Sequence, residues 1–318
     1  DMIYGGDGSN VLYGEDGNDH LFGGEGIDYI FGGADNDVIG GGNGANALFG
    51  GDGSDSLWGG SSRDTDILVG GDGNDILHGD SGQIDPEYDL MDGGAGDDTY
   101  YVDTAADLTF EAVDGGTDTV IANLAPVSGV YLWANVENLR LEGTDLFGVG
   151  NELNNTIVGG YRDDWLFGGA GNDRLDGGGG FDVLFGETGA DTFVFSFVYD
   201  WANESNSSGI IGDFDPSEDV IEFAAATLSS FAQVQAQMVQ VGADGAIYLG
   251  SGQLVVLQGV TMASLTAANF SFVSGAEAPK APPATDTAAI GFESFKASAF
   301  VADAGDFWQL AAHQAAMF

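Results

Sequence analysis

Along residues 1–101 a large apolar residue recurs about every ninth position: Leu12, Leu21, Ile30, Ile39, Leu48, Leu57, Leu68 and Leu77. Each stands at the centre of a triplet x-U-x, where U is the apolar residue, and a polar, glycine-rich stretch separates the triplets. Such a triplet predicts a three-residue strand whose middle side chain points opposite to its neighbours. The eight central side chains are therefore expected to share one interior. Their flanking residues face outward.

The intervening stretch completes a nine-residue unit, G-G-x-G-x-D-x-U-x. Copies begin at Gly5, Gly14, Gly23, Gly32, Gly41 and Gly50. An eleven-residue copy starts at Gly59 and a fourteen-residue copy at Gly79, with regular ones at Gly70 and Gly93. A second array starts at Gly150 and continues at Gly159, Gly168, Gly177 and Gly186. Tight Gly-Asp turns explain any single copy, but not a period that survives insertions. Glycines at the first, second and fourth positions permit positive φ and leave backbone carbonyls uncovered. The sixth-position aspartate adds a carboxylate beside them. Hard oxygen ligands on a bent backbone suit calcium.

On these motifs, residues 1–101 and 150–194 resemble the calcium-binding nonapeptide repeats of RTX proteins. The resemblance implies an all-β fold, a calcium-bound parallel β-roll in which two successive units make one coil. It places calcium between turns stacked on the same edge, so sixth positions about eighteen residues apart should line up. One edge then carries Asp1, Asp19, Asp37, Asp55, Asp75 and Asp98; the other carries Asn10, Asp28, Asn46, Asp66 and Asp89. In the second array Asp164 and Asp182 take one edge, with Asn155, Asp173 and Asp191 on the other. Carbonyl ligands are expected from turn glycines such as Gly6, Gly8, Gly24, Gly26, Gly51, Gly53, Gly71, Gly73, Gly169 and Gly171. The edge with two neutral amides and both insertions should bind calcium more weakly.

Charge strengthens this reading. Six Lys and Arg stand against 51 Asp and Glu, a formal net charge of −45, which opposes compaction unless cations neutralise it. No basic patch exists to meet the phosphates of a nucleic acid. A hydrophobic content of 43% is too high for a merely disordered acidic chain. Cysteine is absent, so bound ions rather than disulfides would staple the fold. Multiple weak calcium sites fit a secreted protein, outside the cell or on its surface. No run is long and apolar enough to span a membrane.

Beyond the first array, residues 102–149 lose the repeat but keep strand-like alternation, as a β-rich connector. Residues 195–275 resemble the cap that follows the last repeat in secreted RTX proteins such as the serralysins. There Asp213 and Asp219 are candidates for a terminal ion or for ordinary turn duty. Phe231, Val234 and Met238 have helical spacing after a Ser-Ser start, and residues 246–260 read as a hairpin. A Pro-rich linker (276–289) and an aromatic tail (290–318) follow. RTX proteins carry an uncleaved C-terminal type I secretion signal, so the tail is a candidate for contact with that export machinery, although its ending departs from the serralysin pattern.

Catalytic constellations are missing. His20, His78 and His313 form no H-E-x-x-H array, and there is neither a thiol nor a G-x-S-x-G elbow. Asp1 is the sixth position of a unit whose start is not in the sequence, so a longer parent is expected. Two function classes stay open. The first is a structural, self-assembling surface component, non-catalytic and homo-oligomeric. The second is the secretion and folding module of a longer enzyme. Outward aromatics at the ninth position favour the first: Tyr4, Phe22, Trp58 and His78 on one face, Tyr13, Phe31 and Phe49 on the other.

Overall fold

A computed structural model describes residues 1–60, 64–80, 88–124, 128–142, 146–195, 207–224, 228–250 and 253–273. The chain divides into two compact units, Asp1–Ala278 and Pro279–Phe318, and the described residues all lie in the first. The linker and the aromatic tail fall outside them.

Successive strands alternate between two faces of a solenoid. One face is a single thirteen-stranded sheet running from Met2–Asp7 to Phe270–Val273. The other is a six-stranded sheet from Val11–Asp16 to Leu108–Phe110, then an eight-stranded one opening with Gly129–Tyr131. Within the repeats each strand pairs in parallel with the strand one full coil away. Leu21 stands beside Ile39 and Ile30 beside Leu48, a step of eighteen residues. The two longer copies do not break this register. Leu57 pairs with Leu77 and Leu68 with Met91, so the extra residues are absorbed at one edge. The fold is all-β and a parallel β-roll.

The eight periodic apolar residues form the axis of the first array. Leu12 is 9% exposed and the other seven are 0%. Each nine-residue unit is thus ordered around one large apolar side chain, a thin core against the entropy of fixing nine residues. The strands themselves exceed three residues. His20–Glu25 includes two glycines and the residue after them, because Gly24 keeps ladder pairing with both Gly6 and Gly42.

Residues 102–149 contribute Leu108–Phe110, Thr119–Ala122, Gly129–Tyr131, Asn138–Leu141 and Phe147–Val149. Tyr100, Val120, Leu139 and Ile157 lie in one register, so the first sheet passes through this segment uninterrupted. Only the opposite sheet breaks there. At the far end Arg174 grips Glu222 through two hydrogen bonds of 3.1 and 2.6 Å, joining the second array to the segment that follows. A helix spans Phe231–Gln237, capped by Ser230, and buries Val234. Met238 is not on it: the backbone turns extended there and Met238 opens the strand Met238–Val241. Asp244–Gly250 and Gln253–Leu257 pair antiparallel, as the hairpin pattern predicts.

Candidate metal sites along the two edges

A single turn shows the chemistry. In the copy starting at Gly32, Asp37 is 1% exposed and its Oδ1 accepts the Asp19 N–H at 2.8 Å. Its Oδ2 has no hydrogen-bond partner. That oxygen faces Gly32 and the Gly50 carbonyl; a Cβ on Gly32 would clash with Asp37 Oδ2 and lie 2.6 Å from the Gly50 oxygen. First-position glycines such as Gly32 do not use the positive φ that the sequence allows them along with the second and fourth positions. They are glycine because a carboxylate and a carbonyl crowd the place of a side chain. Second and fourth positions do take positive φ: Gly24 at 112° and Gly26 at 117°. Their stacking brings the carbonyls of Gly6 and Gly8 against Gly24 and Gly26. The same stacking holds for Gly51, Gly53, Gly71, Gly73, Gly169 and Gly171, each set against a backbone carbonyl of the coil before it.

The turn repeats along each edge. Asp19, Asp37, Asp55, Asp75, Asp98 and Asp118 form one chain in which each main-chain N–H donates to the next carboxylate, at 2.7–2.8 Å. Asn10, Asp28, Asn46, Asp66, Asp89 and Asp107 form the other, at 2.6–3.1 Å. In the second array Asp164 links to Asp182, and Asn155 to Asp173, Asp191 and Asp219. Asp1 stands apart, since its side chain is exposed and its terminal amine contacts Asp19.

Burial beside other acids holds several of these carboxyls above the usual range. Desolvation is the main cause, pushing Asp55 and Asp75 to about 6, Asp66, Asp98 and Asp173 to about 7, and Asp182 to about 9. Unpartnered buried Oδ2 atoms stand at Asp19, Asp28, Asp37, Asp55, Asp66, Asp75, Asp98, Asp118 and Asp173. A buried acceptor without a donor is costly. Carboxylate and carbonyl oxygens alone, converging in a bent backbone, match a hard divalent cation such as calcium. The residues present fit the ion.

The amides behave differently. Asn46 turns its Nδ2 into the place of the orphan oxygen and donates to the Gly44 and Gly59 carbonyls at 2.7 and 3.4 Å. Asn10 Nδ2 donates to the Gly8 carbonyl at 3.0 Å. Here N–H groups cover the carbonyls that a cation would otherwise meet.

Asp213 and Asp219 have their oxygens taken. Asp213 accepts the N–H groups of Gly186 and Glu187, and Asp219 those of Asp191 and Asp215. Asp107, Asp118 and Glu137 are ladder members that the nonapeptide pattern misses. Asp107 and Asp118 keep the acid two residues from a strand centre, at Thr109 and Val120, without the first- and second-position glycines; that spacing is the signal that finds them.

The coils define a parallel β-solenoid whose edges are lined by carboxylates and glycine carbonyls. The model of the RTX calcium-binding nonapeptide repeat matches residues 1–30, 13–48, 40–65, 62–83, 87–108, 149–184 and 169–196. The chain thus carries several copies of this calcium-binding repeat. It is similar to endo-1,3-1,4-beta-glycanase ExsH of Rhizobium meliloti (strain 1021), 39% identical over 180 residues, covering 57% of this chain and 34% of that protein. Endo-1,3-1,4-beta-glycanase EglC of the same organism is 36% identical over 193 residues, covering 60% and 37%. The chain thus spans little more than a third of these relatives. Extracellular lipase LipA from Serratia marcescens aligns with a TM-score of 0.29 and 18% identity, over 77% of this chain and 40% of LipA. Among the described residues no helix is long and apolar enough to cross a membrane.

Proposed function

We propose that this chain is a calcium-locked folding module of an exported RTX protein, held open by its own charge until it meets millimolar calcium. The observation that carries the reading is the row of buried Oδ2 atoms without partners, each except those of Asp98 and Asp118 facing a glycine carbonyl of the next coil. A fold that buries so many carboxylates unpaired is unfavourable without cations. Export by type I secretion suits a chain that stays unfolded in low calcium and folds outside.

Circular dichroism of the chain, chelated and then titrated with calcium, tests it. β-Signal should be lost in EGTA and return with calcium; full β-signal in EGTA would sink the reading.

What the module serves has two readings. Similarity to two proteins named as glycanases supports a roll that accompanies a polysaccharide-acting domain in a longer chain. Outward aromatic stacks support self-assembly at a cell surface. Tyr13, Phe31 and Phe49 stack at 5.1 and 4.9 Å, while Trp58, His78 and Tyr101 stack at 5.4 and 4.0 Å. Light scattering in calcium separates them: growth into large particles supports assembly, and a stable monomer supports the module.

A further inference from the structure

We infer that the end of the first array holds a divalent-cation site outside the nonapeptide motif, formed by Asp98, Glu111 and Asp118. One carboxylate oxygen from each lies within 4.8 Å of the other two. Asp98 is 1% exposed and Asp118 0%. Asp98 Oδ2, Asp118 Oδ2 and Glu111 Oε2 are buried without a hydrogen-bond partner.

The remaining oxygen of each carboxylate is already committed, which fixes the free one. Asp98 Oδ1 accepts the Asp75 N–H at 2.7 Å, and Asp118 Oδ1 accepts the Asp98 N–H at 2.8 Å. Glu111 Oε1 accepts the Tyr100 hydroxyl, whose oxygen in turn accepts the Gly93 N–H at 2.7 Å. Tyr100 occupies the strand-centre position that most other copies fill with Leu or Ile, and it is fully buried. Its length matters. In the coil before, Gly70 faces the Gly93 carbonyl; Gly93 itself faces the Tyr100 hydroxyl, because no nonapeptide follows to supply a carbonyl. Glu111, from the segment beyond the array, brings a carboxylate in its place.

Other ladder ends are closed with N–H donors. Asp107 Oδ2 accepts from Asp103 and Thr104, both at 3.2 Å, Asp164 Oδ2 from Gly160 at 2.7 Å, and Asp219 Oδ2 from Asp215 at 2.7 Å. Neutral oxygens also lie beside the three carboxylates: a Cβ on Gly115 would meet the Gly94 carbonyl, Glu111 Oε2 and the Ala112 carbonyl at 2.9, 3.0 and 3.2 Å. Three acids with carbonyl oxygens at hand call for a hard cation, and irregular geometry favours calcium over magnesium. Bound there, it clamps residues 111–118 onto the last coil of the array.

The site shares Asp98 with the repeat edge, but Glu111 belongs to no repeat, so a test made at Glu111 keeps the two apart. Calcium stoichiometry of the full chain is measured by equilibrium dialysis for the wild type, Glu111→Gln and Glu111→Asp. Glu111→Gln should bind one ion fewer while keeping its β-signal in calcium. Glu111→Asp keeps the charge but shortens its reach, so one site should weaken by about tenfold or more. If Glu111→Gln does not fold, the Glu111→Asp titration decides alone. Wild-type stoichiometry in Glu111→Gln, or wild-type affinity at every site in Glu111→Asp, would overturn the inference. A wild-type chain that binds no calcium would overturn the repeat reading as well.

Discussion

At the scale of single residues, glycine and asparagine have roles that composition does not separate. Positive φ belongs to the second and fourth positions, and non-glycine residues tolerate it at Glu15 (73°) and Asp35 (73°), where strain is accepted. The first position cannot be relaxed so, since the sixth-position carboxylate of its own copy and a carbonyl of the neighbouring coil both occupy the space. Sequence shows which positions are glycine but not why, because the clash depends on how the turn folds back and on a residue about eighteen places away. Asparagine at the sixth position is similarly opaque. It reads as a weak ligand, whereas in the fold its amide donates to the glycine carbonyls. Calcium titration of two variants examines the difference. Asp37→Ala should lower the ion count by one or two, since its carboxylate lies between adjacent coils. Asn46→Ala should leave the count unchanged; a larger loss there than for Asp37→Ala would refute the contrast.

At the scale of the element, the half-coil was legible and its continuation was not. Apolar spacing located the strand centres of the first array, and the eighteen-residue register follows from it. Past residue 101 the glycines thin out, yet strands and acids continue: Asp118 stacks on Asp98, and the Asp118 N–H donates to Glu137. Parallel pairing supplies what the turn motif no longer shows. The stacked edge also has a pH response in metal-free protein. Burial raises Asp55 and Asp75 to about 6 and Asp98 to about 7, with the neighbouring ladder acids adding repulsion. Raised folded-state values mean that the fold holds protons more tightly than the unfolded chain does. The metal-free roll should therefore gain stability as pH falls from about 7 toward 4, and gain nothing more once the unfolded carboxylates are also protonated. More β-signal at pH 5 than at pH 7.5, in dialysed protein without calcium, is the expected result. The reverse order would show that these carboxylates are not buried in the metal-free state.

At the scale of the whole molecule, a formal charge of −45 admits two accounts of why calcium should be needed. In one, the cation merely screens repulsion across the surface; in the other, it ligates particular buried oxygens. Composition cannot choose between them, because both call for positive charge. The placement of the acids can. Asp28, Asp66 and Asp118 are 0% exposed, and the Oδ2 of each lacks a donor. Salt at 1 M shortens the screening length to about 3 Å in water, which quiets exposed carboxylates, but mobile ions do not screen buried groups to that extent. Nor does a weakly bound monovalent ion replace the missing donors of a buried oxygen. Chelated protein in 1 M sodium chloride should thus stay without β-signal, while a few millimolar calcium at low salt should restore it. Recovery of the full signal by sodium chloride alone would reduce the role of calcium to screening and remove the argument for specific sites along the edges.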